Sequence, residues 1–206
     1  MLYCCTGTHR SGKTTTAKLL AEQLGIEFLD SSFDVAKKFG FNPVGEMSLT
    51  DRMAMQILVL EDHIEKLKAA PRPLITDRCP LDYFAYTLAQ FGMTSHKQTD
   101  EKTILAAHAF AEKCLEETKT YYDMVFIMDP LKVYEVDLTK ATPTANPAFQ
   151  LHIHALIHGA VSQIHQEVNY AMVPFMPVQD RVDFIAQNIV ERMNDIDDLR
   201  KSEGMH

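Results

Sequence analysis

Residues 7–14 read G-T-H-R-S-G-K-T and fill every fixed position of G-x-x-x-x-G-K-[ST], the spacing with which a backbone turn wraps a phosphate chain. Gly7 and Gly12 frame the turn, and Thr8, His9, Arg10 and Ser11 supply the amides between them. Lys13 brings a mobile positive charge to the β and γ phosphates, and the Thr14 hydroxyl is placed to ligate magnesium. Thr15, the next residue, joins the nucleotide-binding set at the positive end of the helix that follows. The expected ligand is ATP with Mg2+, held near the amino terminus. A second chemically loaded stretch, D-R-C-P-L-D, occupies 77–82. Asp77 can hold a magnesium-bound water or align an attacking hydroxyl, and the planar Arg78 guanidinium suits phosphate or carboxylate. Pro80 fits the first turn of a helix, from which Asp82 can point into the same cleft. A surface salt-bridge cluster at a helix start is the alternative for this stretch.

Such residues need a sheet edge to stand on, and the pattern supplies one. Short apolar runs at Leu2–Thr6, Ile26–Leu29, Leu74–Asp77, Tyr122–Met128 and Asn169–Val173 read as strands. Helices are expected over Lys13–Leu24, around Lys38, over Thr50–Ala69, from Pro80 to Phe91, and over Glu101–Thr120, Phe149–Gln166 and Val178–Met193. This alternation predicts an α/β three-layer fold with a mainly parallel sheet of about five strands. The order of the strands is not set by the pattern. In open parallel sheets ligands bind beyond the carboxyl ends of the strands, which makes Asp30 and Ser31 substrate-side candidates. Ser31 or Ser32 can equally cap the next helix. Arg52, in a first helical turn, opposes the helix dipole and therefore needs a partner, either a substrate phosphate or a neighbouring carboxylate. Arg181, near the start of the closing helix, is placed to meet the nucleotide base or a phosphate.

Residues 131–147 lose periodicity and gain Thr, Pro, Ala and Asn, a length and composition that suit a substrate-closing helical or loop lid. The whole reads as one domain over 1–195 with that lid and a polar, frayed tail over 196–206. Four histidines, His152, His154, His158 and His165, invite a metal reading, but no H-E-x-x-H spacing accompanies them, and helix-surface or lid contacts are expected. His96 and His108 read as ordinary exposed residues. Methionines of the long helix and the aromatics Tyr83, Phe84, Tyr86 and Phe91 read as core.

With 206 residues, 46% hydrophobic and 23% charged, the chain can fill one core and has the balance of an ordinary globular protein. No apolar run approaches the roughly 20 residues of a membrane span, and no leader segment is seen, so a cytoplasmic setting is expected. Cys4, Cys5, Cys79 and Cys114 lack C-x-x-C spacing and read as reduced, partly buried thiols. The formal charge of −8 disfavours nucleic acid as a partner. A small-molecule partner remains, and a homodimer is left open.

Two uses of the phosphate loop compete: hydrolysis that drives a partner, as in a P-loop ATPase interaction module, and transfer of the γ phosphate to a bound acceptor. Small size, the Asp77-Arg78 pair and the late lid favour transfer, and the base-reading N-K-x-D of a GTPase is missing. G-T-H-R-S-G-K-T-T together with D-R-C-P-L-D-Y resembles the P-loop nucleoside and nucleotide kinase superfamily, especially its small bacterial and phage branch, which includes ribosylnicotinamide-kinase-like domains. The likeness extends to the 177–182 segment P-V-Q-D-R-V that opens the closing helix. It implies that Asp77 orients or deprotonates the acceptor, that Arg78 holds transferred or acceptor phosphate, and that Asp82 lies beside the acceptor. The implied activity is ATP-dependent phosphoryl transfer to a nucleotide or deoxynucleotide. A nucleoside, a ribosylnicotinamide-like compound or a hydroxylated base in phage DNA is the alternative acceptor. Many nucleotide kinases carry arginines in the lid. Residues 131–147 hold none, leaving Lys140, with Arg10 and Arg181, to neutralise charge, and Arg52 and Arg78 to meet an acceptor phosphate.

Overall fold

Strand β1 (Leu2–Gly7) is buried along its whole length, and successive side chains leave it on opposite faces, so that it feeds two cores at once. In the computed structural model, which describes residues 1–43, 45–93, 99–130 and 146–203, β1 lies at the centre of a five-stranded sheet. The other strands are β2 (Glu27–Leu29), β3 (Leu74–Thr76), β4 (Met124–Met128) and β5 (Asn169–Val173). Their order is β2-β3-β1-β4-β5, and every neighbouring pair is parallel. Strands buried on both faces read as continuous apolar runs, which is what M-V-F-I-M of β4 shows.

One face of the sheet is covered by α1 (Lys13–Leu24) and α7 (Val178–Glu203), whose Leu20, Val182, Ile185 and Ile189 pack on Tyr3, Cys5, Phe126 and Met128. The opposite face carries α3 (Leu49–Ala69), α4 (Pro80–Met93), α5 (Glu101–Tyr121) and α6 (Pro147–Ile164), packed on Leu2, Cys4, Val125 and Ile127. A short α2 (Asp34–Lys38) links β2 to α3. Helix, sheet and helix make the three layers expected of this pattern.

The ends of the helices follow local chemistry. Ser48 caps α3 by accepting from the Asp51 amide at 3.1 Å, Asp100 caps α5 through the Thr103 amide at 2.8 Å, and Asn146 caps α6 ahead of Pro147. Helix α7 continues past the expected stop at Met193 to Glu203. Most of the expected lid, 131–145, lies outside the described residues, and Lys140 and His96 with it. All four cysteines are free and buried. Among the described residues no helix is long and apolar enough to cross a membrane.

Candidate active site

The central position of β1 brings the phosphate loop to the middle of the sheet's carboxyl edge. Gly7 has φ 151° and Gly12 φ 87°, and Arg10 between them also adopts a positive φ of 62°. At Gly12 the left-handed conformation is only part of the reason for glycine. A Cβ there would stand 2.7 Å from Arg181 Nη1, which reaches in from α7 to donate to the Ser11 carbonyl at 2.8 Å. Helix α1 begins at Gly12 with no side-chain cap and no acidic residue in its first turn. Its opening amides are therefore those a phosphate chain would use.

Lys13 is 7% exposed, and its ammonium donates to the loop's own carbonyls, Gly7 O at 2.8 Å and Thr8 O at 2.7 Å. Burial pulls its pKa down to about 8, against the opposing pull of the Asp82 carboxylate 3.9 Å away. His9, half-buried beside it, is pushed down to about 4, first by burial and then by the positive charges of Lys13, Arg78 and Arg10. The mouth of the loop thus gathers several cations. Thr8 and Ser11 are buried in the loop, while Arg10, Thr14 and Thr15 are exposed.

Asp77 leaves the end of β3 and joins three segments. Its Oδ2 accepts from the Thr14 hydroxyl at 2.5 Å and its Oδ1 from the Ser31 amide at 3.1 Å, so the carboxylate links α1 to the end of β2. Thr14 and Asp77 present hard oxygen donors side by side, the donor type that magnesium takes when one or two protein oxygens share it with phosphates. They fit that ion. Arg78, half-buried, holds its guanidinium 5.0 Å from the centre of the Phe33 ring. Beside Phe33 a cavity of about 590 Å³ is lined by Phe41, Pro43 and Ser32 as well.

Three expected site residues also make structural contacts. Asp82 is fully buried and faces inward: it accepts from Thr6 Oγ1 at 2.8 Å, from the Cys79 amide at 3.0 Å and from the Gly7 amide at 3.5 Å. It braces the phosphate loop against the start of α4 and does not open into the cleft. Burial raises its pKa, with Lys13 and Arg78 pulling the other way. Arg52 is partnered by the turn ahead of its own helix. Its two terminal nitrogens donate to the carbonyls of Pro43 and Gly45, both at 3.0 Å, and close the turn ahead of α3. Arg181, expected at the base or a phosphate, has one terminal nitrogen on the Ser11 carbonyl. Its buried Nε has no hydrogen-bond partner.

Asp30 is exposed at the end of β2. Ser31 is buried and contributes its amide to Asp77, and its hydroxyl has no partner. Neither Ser31 nor Ser32 caps α2, whose cap position is Phe33. On α6, His154 and His158 approach to 3.0 Å between their Nε2 atoms, with Asp129 Oδ1 3.7 Å from His154. Among the described residues no group of three or more His, Cys, Asp or Glu could hold a metal.

Sequence reasoning did not single out Thr6 or Phe33. Thr6 is a hydroxyl in an otherwise apolar strand, one residue before the loop, and that was the available signal. Phe33 gave none, since an aromatic after a polar turn reads as core.

Comparison with known proteins bears on this geometry. A family model described as an AAA domain (AAA_28) matches residues 2–181. The fold is similar to that of a deoxyadenosine kinase from M. mycoides with bound dCTP, with a TM-score of 0.65 and 15% identity over 93% of this chain and 100% of that one. It is also similar to a thymidylate kinase from Candida albicans, with a TM-score of 0.67 and 16% identity over 94% of this chain and 92% of that one. A thymidylate kinase from Ehrlichia chaffeensis gives a TM-score of 0.57 and 14% identity over 94% of this chain and 98% of that one. At these identities the likeness is one of fold. No curated protein matches the sequence.

Proposed function

This chain belongs to the AAA domain family, and on that footing we propose that it is an ATP-dependent phosphotransferase that moves the γ phosphate to a nucleotide or deoxynucleotide. The observation that carries the reading is the 2.5 Å contact between Thr14, on the phosphate-loop helix, and Asp77, at the acidic end of β3. A hydroxyl suited to a metal and a carboxylate suited to an acceptor stand together where a triphosphate would end.

In this reading the loop amides and Lys13 bind the β and γ phosphates, with Thr8 to Ser11 forming the wrap and Thr15 and Arg10 at its rim. Thr14 and Asp77 would hold magnesium, which would supply a Lewis acid for phosphoryl transfer. Asp77 orients the acceptor oxygen for in-line attack, and Arg78 offsets the negative charge that grows on the transferred group. Arg181 keeps the loop in its wrapped shape from α7. Asp82 acts on the reaction by fixing the loop and Lys13. Asp30 and Ser31 border the acceptor, whose ring is placed in the cavity beside Phe33 and Phe41.

One observation favours a second acceptor, a nucleoside. Arg52 was expected to meet a substrate phosphate or a neighbouring carboxylate, and each of its terminal nitrogens gives one N–H to the Pro43 or Gly45 carbonyl. Arg78 then faces the acceptor with less help than a dianionic group would want. The solved proteins of this fold include a deoxyadenosine kinase as well as thymidylate kinases.

A transfer screen with γ-labelled ATP and magnesium, offered nucleoside monophosphates, nucleosides and short DNA, tests the reading. Label is expected on a nucleotide, or on a nucleoside under the second reading. Free phosphate as the only product, stimulated by DNA or a protein, would make this a hydrolysing interaction module.

A further inference from the structure

Behind the Asp77-Arg78 turn runs a buried polar chain. His63 on α3 is 3% exposed, and its Nε2 lies 2.9 Å from the hydroxyl of Tyr122, just ahead of β4. That hydroxyl is 3.3 Å from Thr76 Oγ1 and 3.4 Å from the Arg78 carbonyl, to which Thr76 Oγ1 itself donates at 2.7 Å. Burial pushes the His63 imidazole down to about 4 and the Tyr122 phenol well up, so both are neutral at pH 7. One placement of protons then satisfies the whole chain. His63 Nε2–H donates to Tyr122, Tyr122 donates to Thr76, and Thr76 donates to the Arg78 carbonyl.

The other end of the same peptide is also held. The Cys79 amide donates to Asp82 Oδ2 at 3.0 Å, the oxygen that accepts from Thr6 at 2.8 Å. A peptide is planar, so fixing its carbonyl and its N–H fixes the plane from which the Arg78 side chain departs. On one side the plane is referred to α3, β3 and the end of α5, and on the other to β1 and the phosphate loop.

We infer that His63, Tyr122 and Thr76 are positioning residues for Arg78, clamping the Arg78–Cys79 peptide so that the guanidinium stands over Phe33 and faces the transferred phosphate. The inference rests on the role proposed for Arg78. The three residues act through that peptide and touch neither ATP nor acceptor.

Tyr122→Phe removes one oxygen and keeps the ring. In the transfer assay its kcat is expected to fall about tenfold while the KM for ATP stays within about twofold, the split of a group that matters in the transition state. His63→Leu should behave alike, and His63→Gln, whose amide nitrogen can stand near the position of Nε2, should recover most of the rate. A second readout needs no activity: hydrogen exchange of the Cys79 amide, followed by NMR in the nucleotide-free protein, is expected to quicken about tenfold in Tyr122→Phe while β1 and β4 amides keep their rates. Should wild-type protein transfer label to no acceptor, the functional reading fails, and exchange at Cys79 still decides the clamp. Unaltered exchange at Cys79 overturns the inference. So does an active enzyme whose kcat stays within about twofold in both Tyr122→Phe and His63→Leu, or equal losses of kcat and Tm in His63→Gln and His63→Leu.

Discussion

Lys13 and Asp77 divide the proposed chemistry between charge and alignment, and their surroundings allow the two to be separated by substitution. Lys13 is wrapped by the Gly7 and Thr8 carbonyls, and its loss leaves Asp82 with three other donors. Lys13→Ala is therefore expected to slow transfer by about a hundredfold or more, the scale of losing one preorganised charge, while circular dichroism stays native. Unchanged turnover would remove Lys13 from the mechanism. Asp77→Asn keeps an oxygen for the Ser31 amide and should hold ATP affinity within a few-fold while transfer falls about a hundredfold. Isothermal titration beside the transfer assay checks this. Equal losses would give Asp77 a primary magnesium or structural role. The motif residues were readable in the sequence because fixed spacing in a loop fixes geometry. Arg52 and Asp82 were not, for one shared reason: sequence shows that a charge needs a partner and not which partner is nearest. Backbone carbonyls of a turn nine residues back satisfied Arg52, and backbone amides satisfied Asp82.

Helix α1 and strand β5 begin and end where the apolar pattern puts them, and α3, α5 and β4 differ by one or two residues. These segments are bounded by glycine, proline or a capping side chain, signals that act locally. The start of α2 was unreadable because Phe33, not a serine, occupies the cap, and Ser31 gives its amide to Asp77 across the sheet. The far end of α7 carries no stop signal in its polar sequence. The turn into α1 yields a sharper expectation. Gly12→Ala must be strained at φ 87° and must displace the Arg181 guanidinium, so a loss of about 1–3 kcal/mol of stability is expected. Urea unfolding measures it. In Gly12→Ala combined with Arg181→Ala the collision is gone, and the loss should shrink toward the backbone strain alone.

The order β2-β3-β1-β4-β5 could not be read from sequence, since each parallel pair is joined by residues far apart and several orders obey the same handedness rule. The two cores it creates were implied by the alternation along β1, but their separate helix layers were not. Buried polar groups in these cores make stability depend on pH. His63 ionises at about 4 when folded and near 6.5 when free, so between those values the unfolded chain binds more protons. Stability from this group is therefore complete above about pH 6.5 and is lost as the pH falls toward 4, by roughly 3 kcal/mol. Denaturant titrations at pH 7, 5.5 and 4 should show wild type losing about that much more than His63→Leu. Parallel slopes for the two proteins would mean that His63 takes up its proton at the same pH in the folded and unfolded chains.

The hydrogen bond from Arg181 to the Ser11 carbonyl spans 170 positions of the chain. During synthesis on a ribosome, the glycine turn emerges well before the guanidinium that finishes it, which comes only after α6 and β5 have been made. A nascent chain halted before residue 178 would carry the recognition motif intact and still lack the strut that shapes it. Nucleotide capture would then switch on late, as a mark that the last helix has docked, and release of arrested chains from an ATP-coated resin would reveal that timing.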